Sequence, residues 1–170
     1  MSERTPPASQ QVVRAADLGR GDELHVRHPR NPASDIYMTR LSDRAGLTHL
    51  GVSRARVPPG KESFILHAHT IQEEWVYVLD GRGEVVIGDE TLAIGPGDFI
   101  GFPPGGAAHV LRNRGDVDLV FLQGGDRRPG DRGLFPSIGK IGFERGDGHM
   151  ALIDEAAVEL LPFSAWVADD

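Results

Sequence analysis

The chain has no cysteine. Disulfides and thiolate ligands are therefore excluded, and any bound metal must be held by nitrogen and oxygen. Aromatic residues are few, with 2 Trp, 2 Tyr and 7 Phe in 170 residues, and no apolar run approaches the length of a transmembrane helix. Positive charge is also short: 18 Lys and Arg stand against 25 Asp and Glu, giving a net charge of −7 with no basic run. Such a chain is a poor partner for nucleic acid or for an anionic membrane. The N-terminal stretch MSERTPPASQQ lacks the apolar centre of a secretory signal, so a cytoplasmic protein is expected. What the chain does have is 22 Gly and 12 Pro, which suit short strands joined by frequent turns. Its length allows one domain with a single core.

Taken in order, residues 1–11 are polar and Pro/Ser-rich and read as disordered or draped on the surface. Val12 to Leu18 fits a strand or a helical turn, and Gly19 to Asp35 reads as loop, with His25 and His28 as solvated loop histidines. The first well-marked strand is Thr48 to Val57, closed by Pro58-Pro59-Gly60. Further strands are expected at Phe64–His69, Glu74–Leu79, Glu84–Ile87, Thr91–Ile94, Asp98–Phe102, His109–Arg112 and Asp118–Gln123, separated by Gly- and Asp-rich turns. Strands this short, with turns every eight to twelve residues, predict an antiparallel sandwich or barrel. From Asp126 to Gly148 the pattern becomes loop-like. One more strand at Met150–Ile153 is followed by a short helix, Glu155–Leu161, with Asp154 placed to cap it and Pro162 to stop it.

The chemistry centres on residues 60–81, GKESFILHAHTIQEEWVYVLDG. In an extended strand, residues two apart share a face, so His67 and His69 present their imidazoles side by side. A turn at Thr70 to Glu73 would bring Glu74, at the start of the next apolar strand, beside them. Two imidazoles and a carboxylate on one sheet face are ligands for a divalent metal. His109, behind the Pro104-Gly105-Gly106 turn, supplies another histidine at the start of a strand.

These two stretches resemble the cupin superfamily. In the first, His67, His69, Glu74 and Gly81 stand at the spacing of the family's first motif, and in the second Pro104, Gly106, His109 and Asn113 stand at that of its second. Gly60 and Gly97 each lie one residue further out than the usual pattern. The resemblance covers about Leu47 to Gln123. It implies an all-β fold, a double-stranded β-helix or jelly-roll barrel, here with a short C-terminal helix. It implies an N-terminal extension (1–46), a barrel core (47–125) and a C-terminal extension packing on the barrel (126–170). It also implies one divalent metal ion held by His67, His69, Glu74 and His109. The six residues between Glu74 and Gly81 select Glu74 over the neighbouring Glu73. Four such ligands leave two octahedral positions for a small molecule, and they do not choose among Fe, Mn, Ni, Zn and Cu.

Cupins of this motif include dioxygenases, decarboxylases, isomerases and lyases, so a small metalloenzyme acting on an oxygenated metabolite is expected, with its catalytic residues unassigned. The alternative is a non-catalytic module in which the metal shapes a pocket that binds or senses a small ligand. Trp75 and Tyr77 alternate with Glu74 and should point outward, which, with the family's habit of pairing barrels, predicts a homodimer. Arg54 and Arg56 share one strand face; inward, either could clamp an anionic substrate, and outward they are solvated. His49 and His149 read as structural or exposed. The large apolar residues of the tail, from Leu134 and Phe135 to Phe163 and Trp166, imply that it covers an outer face of the barrel and leaves the metal mouth open.

Overall fold

Alternating inward and outward side chains build two facing layers of antiparallel strands. The computed structural model describes residues 6–162 and 164. A helical turn, α1 (Ala8–Gln11), precedes β1 (Leu24–Val26), β2 (Ile36–Arg40) and a second short helix, α2 (Leu41–Arg44). Then come β3 (Leu50–Val57), β4 (Ala68–His69), β5 (Glu74–Asp80), β6 (Gly83–Ile87) and β7 (Glu90–Ile94). They are followed by β8 (Phe99–Phe102), β9 (His109–Arg112) and β10 (Leu119–Asp126). The last part of the chain adds β11 (Gly133–Phe135), β12 (Lys140–Glu144) and β13 (Met150–Asp154). One layer is a six-stranded sheet in the order β1-β2-β3-β10-β5-β8. The other consists of β7-β6-β9 and β13-β12-β11-β4, joined where His67 and His109 face each other in an antiparallel bridge.

Between the layers lies the core, with Ala55, Val57, Val76, Val78, Phe102, Leu119 and Phe121 from the first and Val85, Ile94 and Leu111 from the second. Val57, Val78, Leu119 and Phe121 are wholly buried. Each such side chain contributes about 1.5–3 kcal/mol relative to exposure. In β5 the alternation is explicit: Val76 and Val78 point in, while Tyr77 and Leu79 are exposed on the other face. The strand ends at Gly81, whose φ is 77° and where a Cβ would lie 2.4 Å from the Asp118 carbonyl oxygen, so only glycine fits the turn. This two-layered, all-β jelly roll is the expected architecture.

Several expectations at the two ends are corrected. The loop expected over Gly19 to Asp35 contains β1, which pairs with β2 at the edge of the six-stranded sheet. The loop-like stretch from Asp126 onward forms β11 and β12, and β11 pairs with β4 (Gly133 opposite His69, Leu134 opposite Ala68). Among the described residues the tail therefore extends the sheet that carries the histidines and does not blanket an outer face. The helix at Glu155–Leu161 reduces to a single 3-10 turn, Glu155–Ala157. Asp154 gives no side-chain cap, and its carboxylate instead accepts a bond from Lys140 Nζ at 2.5 Å. Among the described large apolar residues of the tail only Phe135 is buried, and Met150, Ile153, Leu160 and Leu161 are exposed. Phe163, Trp166 and residues 1–5 lie outside the described residues. Among the described residues no helix is long and apolar enough to cross a membrane.

Candidate metal centre

His67 and His109 exchange both backbone hydrogen bonds, at 3.1 and 2.7 Å, so they are a directly opposed antiparallel pair with side chains on one face. Their ring centroids are 4.7 Å apart, and the His69 ring lies 5.2 Å from that of His67. Only Ala68–His69 of the expected Phe64–His69 strand is regular, but it holds the i, i+2 relation that aligns the two imidazoles. Glu74 enters from the facing layer at the start of β5, opposite Phe102 and Gly125. A Cβ at Gly125 would stand 3.3 Å from Glu74 Cγ and 2.5 Å from the Glu73 carbonyl oxygen, so the glycine leaves room for the carboxylate.

The four side chains converge on one point. Glu74 Oε2 lies 3.6 Å from His67 Nε2, 3.4 Å from His69 Nε2 and 3.2 Å from His109 Nε2. Donor atoms of His67, His69 and Glu74 all fall within 4.8 Å of one another, and His109 joins them through Glu74. The far sides of the rings are arranged differently. His67 Nδ1 donates to the Ile65 carbonyl at 2.8 Å, which leaves Nε2 with its lone pair free. His69 Nδ1 meets Asp131 Oδ2 at 2.5 Å. His109 stacks flat on Phe102, with centroids 3.6 Å apart, and its buried Nδ1 has no partner. Burial alone would raise the Glu74 carboxyl, but the three imidazoles gathered around it, His109 first, hold it far below the usual carboxylate range. Burial would lower His69, yet Glu74 and Asp131 on its two sides raise it to about 9. Burial prevails at His109, which is pushed below the ordinary histidine value. Three imidazole nitrogens facing one ionised carboxylate, with no sulfur, fit a hard or borderline divalent cation.

The remaining candidates lie elsewhere. Glu73 meets this region through its backbone carbonyl, which accepts from the Asp126 amide. Arg54 and Arg56 lie on the face of β3 opposite buried Ala55 and Val57, away from the centre. Arg56 forks onto Glu23, with bonds of 2.9 and 2.7 Å to its two oxygens, and stacks over Tyr37; Arg54 lines the same outer cleft. The solvated reading fails for His28, which is 7% exposed, packed edge-on to Phe64 and near Phe135; burial holds it below the ordinary value. His25 stacks on Tyr37 and bonds Asp35. His49 and His149 are exposed.

Three residues in or beside the centre have no local signature in the sequence. Asp131 sits in a charged loop and reaches His69 only through the pairing of β11 with β4. Gln123 and Ser53 face each other across β10 and β3, on the row beside Val76 and next to the Glu74–Gly125–Gly51 row. Strand alternation with buried Phe121 and Ala55 places both on the inner face.

A family profile for the cupin domain matches residues 53–123. The crystal structure of a protein from Acidithiobacillus ferrooxidans, provisionally named a sugar phosphate isomerase, superimposes with a TM-score of 0.86. It is 34% identical, and the match covers 92% of this chain and 99% of that one. The chain belongs to the cupin superfamily. This cupin is also 27% identical over 113 residues to the oxalate-binding protein of Thermotoga maritima, covering 65% of the chain and 89% of the relative. An uncharacterised protein of Methanocaldococcus jannaschii is 37% identical over 71 residues, 42% of this chain. That match spans little more than half of the archaeal protein, 55%.

Proposed function

We propose that this cupin is a metal-dependent enzyme acting on a small oxygenated metabolite, with His67, His69, Glu74 and His109 holding one divalent ion. The observation that carries this reading is the convergence of three imidazole Nε2 atoms on a single carboxylate oxygen. When bound, such an ion supplies Lewis acidity toward an oxygen-bearing ligand. The protein's own residues keep Nε2 of His67 facing inward through the Ile65 carbonyl and keep Glu74 ionised. Beside Glu74 the inner wall carries Gly51 and Gly125, then Ser53 and Gln123. That row leaves space and offers neutral polar groups, which suits a hydroxylated substrate better than an apolar one.

The similarity to the Acidithiobacillus protein makes isomerisation of a sugar phosphate the first reaction to examine. In the test, metal-loaded protein is incubated with aldose and ketose phosphates and followed by NMR. Interconversion that disappears in His67→Ala supports the proposal, and none with any of them removes the isomerase reading. A second reading, a ligand-binding module, is favoured by the resemblance to an oxalate-binding protein. Calorimetric binding of oxalate by the metal-loaded protein, without turnover, would select it.

A further inference from the structure

The cupin profile ends at residue 123, yet the shortest hydrogen bond to any of the three histidines of the centre comes from beyond it. Asp131 lies two residues before β11. The pairing of β11 with β4 is continued by Thr70 N–H donating to the Arg132 carbonyl at 3.1 Å, and by Arg132 N–H donating to Thr70 Oγ1 at 2.9 Å. This frame sets the Asp131 carboxylate, 12% exposed, against His69. Its two oxygens have separate partners. Oδ2 meets His69 Nδ1 at 2.5 Å. Oδ1 accepts from the Ile71 amide at 2.8 Å, the Gln72 amide at 3.3 Å and the Thr70 hydroxyl at 3.3 Å.

We infer that Asp131 is a positioning residue for the metal centre, holding His69 with its proton on Nδ1 and its Nε2 lone pair aimed at the ion. An ionised carboxylate only accepts hydrogen bonds, so a ring that gives up its Nε2 proton for a bound ion must donate from Nδ1. Nε2, 3.4 Å from Glu74 Oε2, is then left as the ligand atom. His67 is oriented by a neutral backbone carbonyl and His109 by stacking alone. Among the described residues, Asp131 is thus the one charged group behind a candidate ligand, and the tail contributes to the centre itself. The role rests on the metal-binding reading above.

Asp131→Asn separates this role from a structural one. The Ile71 and Gln72 amides require an acceptor at the Oδ1 position, so the amide NH2 must occupy the Oδ2 position and face His69 Nδ1. His69 must then accept at Nδ1 and carry its proton on Nε2, where it blocks the metal, while the loop bonds stay intact. Zn(II) titrated calorimetrically into metal-free protein should bind Asp131→Asn about 10–100-fold more weakly than wild type. The metal-free melting temperatures should nearly coincide. Thr70→Ala, which loosens the same loop without touching His69, should keep Zn(II) affinity within about threefold. Asp131→Asn binding like wild type would overturn the role of Asp131 alone. So would an equal loss in Thr70→Ala, because loop rigidity would then account for the effect. Wild type that takes up no Zn(II) would overturn the metal centre, and this role with it.

Discussion

Asn113 tests whether the second histidine strand is held by a few buried bonds. It is 0% exposed, and all three of its side-chain hydrogen bonds are made inside the protein. Its amide group donates to the Val57 and Val117 carbonyls, both at 2.7 Å, and its oxygen accepts from the Gly115 amide at 2.9 Å. It therefore ties the end of β3 to the turn that follows β9, the strand that begins with His109. Asn113→Asp keeps the shape and replaces two donated bonds with oxygen facing oxygen. Two lost bonds at about 1 kcal/mol each, plus about 1–3 kcal/mol for buried groups left unpaired, give about 3–5 kcal/mol. For a chain of this size, each kcal/mol moves melting by about 2–4 °C, so a fall of about 10 °C is expected at neutral pH. The buried acid would have its pKa raised above the usual carboxylate value, so the deficit should shrink toward about pH 4, where the protonated form can donate one bond. Thermal denaturation followed by circular dichroism measures this. A variant melting within about 2 °C of wild type at pH 7 would refute the assignment of Asn113 as a fully used hydrogen-bonding hub.

Three further outcomes follow. A chain ending at Gly125 loses β11, the pairing partner of β4, and should be insoluble or melt far lower than the full chain; equal melting would make the tail an accessory. Glu23→Gln should destabilise by about 1 kcal/mol at pH 7 in urea titrations. Because Arg56 holds the Glu23 carboxyl below its ordinary value of 4.5, wild type should lose this contribution as pH falls below that value, and the variant should show a flatter profile there. Phe99, 66% exposed, stands opposite exposed Tyr77 on the outer sheet face beside Trp75. We expect this face to form a homodimer that Phe99→Asp disrupts, and light scattering of wild type at 18.4 kDa would count against it.

Much of the barrel was legible because its strands alternate cleanly and its turns need particular residues. Gly81 is required at its position by both φ and contact, and β5 shows its two faces directly. His67, His69 and Glu74 could be grouped because their relation is local, two residues and one turn apart. His109 needed the family resemblance, since its place opposite His67 is a long-range pairing. Asp131 was invisible for the same reason: a lone acid in DRRPGDRG has no periodicity, and only strand pairing takes it to His69. His28 is buried although its segment reads as polar loop. The chain turns back there, with the His28 amide donating to Ser34 Oγ, and the ring is buried against Phe64. The helix expected at Glu155–Leu161 failed because helix-forming residues need a face to bury, and residues 159–161 remain exposed.

The central claim is that four side chains from both layers hold one divalent ion. The direct measurement is an anomalous difference map from crystals of the protein prepared with Mn(II) or Zn(II). The account predicts one peak per chain, bounded by Nε2 of His67, His69 and His109 and by the Glu74 carboxylate, at roughly 2.0–2.3 Å from each. A peak bound by other residues, or none after preparation with Mn(II), Fe(II), Ni(II), Cu(II) and Zn(II) in turn, would contradict it.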